Sequence, residues 1–109
     1  MTKIKIWNKV YTVVFTNNKE DLLVKGKQCK ASISYGKKII WLDEKLKASR
    51  DNLSRAIMHE IAHAFIYETK FTQAETYLEE DLCDFVAIYT KPIMQATERA
   101  VKGLLKEDK

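Results

Sequence analysis

Polar and apolar residues alternate through the first part of the chain and then recur at helical spacing through the second, so strands precede helices. Ile4 and Ile6 oppose Lys3 and Lys5, and residues 10–15 form a β-branched and aromatic run. Together they predict a hairpin, with strands near 3–7 and 10–15 turning at Asn8-Lys9. Residues 16–28 are polar, with Asn17-Asn18 and Gly26 as breakers around Leu22-Leu23-Val24, and predict a loop with some local helix. A second hairpin is expected from residues 29–35 and 37–42 about Tyr35-Gly36, with Ile39-Ile40-Trp41-Leu42 its most apolar strand.

From about residue 50 to 69 the period changes. Leu53, Ile57, Ile61 and Ala64 make one stripe with Phe65 beside it, and Ala56, His59, His63, Ile66 and Tyr67 make another. A helix apolar on two sides is expected between layers, capped by Ser49 or Asp51. A further helix should follow Thr72, which pairs with Glu75 as a capping box ahead of a core stripe of Leu78, Leu82, Phe85, Val86 and Tyr89. Pro92 suits the first turn of a last helix, with Ile93, Ala100, Val101 and Leu104 facing inward. The predicted fold is α+β: a small antiparallel sheet of three to four strands, then one helix and two more, in a single domain over residues 1–109.

Composition adds limits. At 109 residues, 46% hydrophobic and 31% charged, the chain is long enough for one core and is ordinary for a globular domain. No run of about 18 apolar residues occurs and the start has no apolar leader segment, so no membrane partner and a cytoplasmic location are expected. Cys29 and Cys83 lack CxxC spacing, as expected of two reduced thiols. A net charge of +4 is a normal solubility charge, and without an aromatic-basic motif a nucleic-acid partner is not expected.

The chemistry concentrates at one place. Residues 59–63 read His59-Glu60-Ile61-Ala62-His63 and hold both histidines of the chain. Positions i and i+4 of a helix share a face, so both imidazoles can reach one metal ion, with Glu60 beside it as general base. Zn2+ is the expected cofactor, although imidazole and carboxylate also accept manganese or iron. A catalytic zinc site takes three protein ligands, so one more carboxylate or cysteine is needed. The following helix offers Glu75, Glu79, Glu80, Asp81, Cys83 and Asp84. Glu80 and Asp84, one turn apart on one stripe, repel each other unless a cation lies near. Glu80 is therefore assigned to the metal and Asp84 to a histidine ring N–H, with Cys83 the rival ligand.

These residues resemble the gluzincin metallopeptidases, which pair HExxH with a glutamate on a following helix. Glu80-Asp81-Leu82-Cys83-Asp84 stands for that second, ExxxD-like motif. Within that clan the chain resembles a minimal member of the ImmA/IrrE-like family, whose second motif, ExxAN before an apolar pair, is matched with substitutions by Glu80, Cys83, Asp84 and Val86-Ala87. The resemblance implies a zinc-dependent peptidase, often cytosolic and carried by phages or mobile elements, acting on a protein or peptide substrate such as one regulatory protein. It also implies that the strand of residues 39–43 is the edge along which a peptide lies. With no further histidine, oxyanion stabilisation would fall to Tyr67, Tyr77 or a backbone N–H. The alternative is a catalytically inactive, zinc-stabilised protein-binding module.

Overall fold

The computed structural model describes residues 1–70 and 79–107, the side chains of Glu79 and Glu107 excepted. Strands β1 (Thr2–Ile6) and β2 (Lys9–Thr16) pair antiparallel across a two-residue turn, in which Trp7 takes a positive φ of 58°. The turn is thus Trp7-Asn8, one residue earlier than the polarity of Asn8-Lys9 suggested. Within the expected loop, residues 19–22 make a 3-10 turn capped by Asn18. A short ladder of β3 (Leu23–Val24) and β4 (Lys27–Gln28) follows, turning at Lys25-Gly26, both at positive φ. Strands β5 (Ala31–Ser34) and β6 (Ile39–Asp43) form the second hairpin.

The sheet order is β1-β2-β6-β5, and β2 pairs with β6 in parallel, Thr12 opposite Ile39 and Thr16 opposite Asp43. The sheet is therefore mixed and not wholly antiparallel. Periodicity identifies strands but not their partners, and the segment between β2 and β6 is long enough to return the chain to the same end. Strand β6 consequently lies inside the sheet. The edges are β1 and β5, so β5 and not residues 39–43 is the free edge beside the first helix.

A 3-10 turn at residues 44–48, capped by Asp43, leads into α1 (Arg50–Thr69). Ser49 caps α1 by accepting the Asn52 N–H at 3.3 Å, and Lys70 ends it in the left-handed region. One face of the sheet contributes Ile4, Ile6, Tyr11, Val13, Ile40 and Leu42 to the core, against Leu53, Ile57, Ile61, Ala64 and Phe65 of α1. The second predicted stripe of α1 is not enclosed: Ala56 and Ile66 are half-buried, while His59, His63 and Tyr67 are exposed.

The expected second and third helices are one, α2 (Glu79–Glu107), with Pro92 inside it. Proline removes one helical hydrogen bond and ordinarily bends or ends a helix. Here Ile93, Ala96, Ala100, Val101 and Leu104 are buried on one face, and Phe85 and Tyr89 continue that face across the proline against the core. Packing outweighs the local preference. At about 1.5 Å per residue α2 is about 43 Å long against about 30 Å for α1, so its start overhangs the core. Leu82 and Val86 are thereby 51% and 59% exposed, contrary to the core stripe expected of them. Leu78 and the Thr72–Glu75 capping box lie outside the described residues.

Candidate metal centre

Regular α-helical spacing on α1 sets His59 and His63 one turn apart on its outer face, and the core beneath holds that face open to solvent. Their Nε2 atoms converge to 3.2 Å, with the rings edge to face at 76°. Two imidazoles bound tetrahedrally to zinc at about 2.0–2.1 Å have nitrogens about 3.3–3.4 Å apart, so the pair fits one such ion. The same distance also suits an N–H···N hydrogen bond between two neutral rings. Burial, with the His59 charge adding to it, pushes the His63 pKa down, which favours the neutral form that either arrangement needs.

Glu60 points to the inner flank of α1 and is 7% exposed. Burial raises its carboxyl above the usual range, and the neighbouring His59 partly offsets this. It has no hydrogen-bond or ion-pair partner among the described residues. A desolvated carboxylate is a stronger proton acceptor than one in water.

A cleft of about 310 Å³ opens beside His59, lined by Lys30, Leu46, Asn52, Arg55, Ala56 and His59. Sequence patterns had not singled out Lys30 or Arg55. Arg55 was nevertheless readable, because it stands one helical turn before His59.

Helix α2 runs antiparallel to α1. The Tyr89 ring meets Phe65 at 5.9 Å near the end of α1, while Thr97 and Val101 line a groove with Arg50, Ser54 and Met58 near its start. Glu80 therefore lies about 13 Å before Tyr89 along the α2 axis, past the level of Phe65. Glu80, Asp84 and Cys83 are all exposed there. Among the described residues no three or more His, Cys, Asp or Glu side chains form a metal-binding group: the structure brings His59 and His63 together, keeps Glu60 on the adjoining buried flank of α1, and leaves Glu80 and Asp84 apart from them.

Tyr67, one turn beyond His63, stacks on Tyr35 at 4.3 Å and 17°, with Lys38 Nζ 5.0 Å from its ring centre. Tyr77 lies outside the described residues. Beneath Tyr67, Tyr11 donates its hydroxyl to Glu68 at 2.5 Å, and Glu68 also pairs with Lys38. No known protein family, curated protein or solved structure matches the chain.

Proposed function

We propose that the protein is a zinc-dependent peptidase whose reacting centre is His59, Glu60 and His63. The observation that carries this reading is the convergence of the two Nε2 atoms to 3.2 Å beside a buried glutamate. His59 and His63 would hold the ion, from a helix seated on the core. A zinc ion so held polarises a carbonyl and makes water a nucleophile near neutral pH. Glu60, its basicity raised by burial, would accept a proton from the attacking water and return it to the leaving amine. Glu80 is proposed as the third ligand on the sequence pattern, with Asp84 accepting a histidine ring N–H. Glu80 stands past the level of Phe65 and the two histidines stand before it, so ligation by Glu80 would require α2 to shift along α1.

The second reading is a catalytically inactive, zinc-stabilised protein-binding module. Glu60→Gln separates the two. The peptidase reading expects zinc retained and hydrolysis of a quenched peptide mixture reduced by about 10²–10⁴-fold. Hydrolysis equal to that of the unaltered protein would sink it.

A further inference from the structure

The cleft beside His59 has cations on both sides. Asn52, Arg55, Ala56 and His59 form its α1 wall, Lys30 closes the opposite side and Leu46 lies beneath. The Lys30 carbonyl accepts the Asp43 N–H at 2.9 Å, which fixes the root of that side chain to β6. Lys30 and Arg55 have no ion-pair or hydrogen-bonded side-chain partner among the described residues, in contrast to Lys38, which pairs with Glu68. Among the described residues no carboxylate lines the cleft. Asp43 lines the adjoining depression with Lys30, and its side chain accepts the Lys45 N–H at 3.0 Å.

Two cationic side chains lining one cleft, with no carboxylate among its lining, favour an anion between them. Leu46 and Ala56 add apolar surface to its lining. Arginine offers a planar fork that matches a carboxylate at two points, and lysine a mobile ammonium. A neutral amide of the same shape gains neither charge interaction, and a basic side chain is repelled.

We infer that this cleft is a substrate subsite for a carboxylate of the peptide, from an Asp or Glu side chain or a free C-terminus, with Lys30 and Arg55 as its specificity-determining residues. The inference rests on His59 and His63 being the reacting centre, and it assigns the substrate class to acidic peptides.

The test is a chemical-shift titration of the 15N-labelled protein, which needs no turnover. Three alanine-based hexapeptides serve as probes: one end-blocked with a central Glu, one end-blocked with Gln, and one with Gln and a free C-terminal carboxylate. The Glu peptide should bind about five- to tenfold more tightly than its blocked Gln counterpart, shifting amides of Lys30, Asn52, Arg55 and His59. The third peptide shows whether a terminal carboxylate serves as well. The Lys30→Gln/Arg55→Gln double variant, altered only at exposed positions, should abolish the preference. Equal binding of all three peptides, no binding of any peptide, shifts mapping elsewhere, or a preference that survives in the double variant would each overturn the inference. Failure of the peptidase reading would appear separately, as hydrolysis indifferent to Glu60→Gln.

Discussion

Burial pushes Glu60 and His63 toward the neutral form by opposite routes: it raises the carboxyl of the one and lowers the imidazole of the other. For His63 that form leaves a nitrogen free to bind metal, and for Glu60 it means a higher affinity for a proton. Metal analysis of purified protein follows directly from this. His63→Ala should lose zinc by more than the about 10–100-fold that removal of an outer partner costs, and Asp84→Asn should fall within that range. Glu80→Ala should lose zinc while Cys83→Ala keeps it; the reverse result would transfer the third ligand to Cys83. The motif itself was legible because its geometry is local to one helix. Its completion was not, since the position of Glu80 depends on how α2 lies along α1, which no spacing within either helix encodes.

Between elements, Gly103 of α2 packs closely against Thr2 of β1. A Cβ at Gly103 would stand 2.6 Å from Thr2 Cγ2 and 2.8 Å from its Oγ1. Alanine improves helix propensity by about 1 kcal/mol, but the collision costs more in a packed seam. Gly103→Ala should lower stability by about 1–2 kcal/mol in urea unfolding, and adding Thr2→Ala should recover most of the loss. A stabilised single variant would mean that the seam is loose. Elements of this kind were readable where one local period governs them. The span of residues 50–69 predicted for α1 is the span observed, and both hairpins fall within a residue or two of expectation. Local signals misled where packing overrode them, at Pro92, and where the partner lay far along the chain, in the parallel pairing of β2 with β6.

Across the whole molecule, Glu68 joins the two layers, since it accepts the Tyr11 hydroxyl from the sheet and pairs with Lys38 from the β5–β6 turn. Burial alone would raise its carboxyl, but hydrogen bonds from Lys38 and Tyr11 outweigh that and hold it below the usual range. A carboxyl lowered on folding contributes stability above its unfolded pKa, and that contribution is lost as pH falls through the folded value. Tyr11 shifts the other way: burial first, then Glu68, raises its hydroxyl, so its contribution is lost as pH climbs above about 10. Thermal melting against pH should therefore give a plateau with an acid and an alkaline shoulder. Glu68→Gln should flatten the first, and Tyr11→Phe the second. A profile unchanged in both variants would show that the layers are joined by apolar packing alone. The parallel ladder has a different consequence, one of timing. As the chain is synthesised, β2 can pair with β1 at once, but its other edge has no partner until residues 39–43 emerge. An apolar strand with a bare edge is where nascent chains stick to one another. The time the ribosome takes to complete β6 therefore sets how long that edge stays bare.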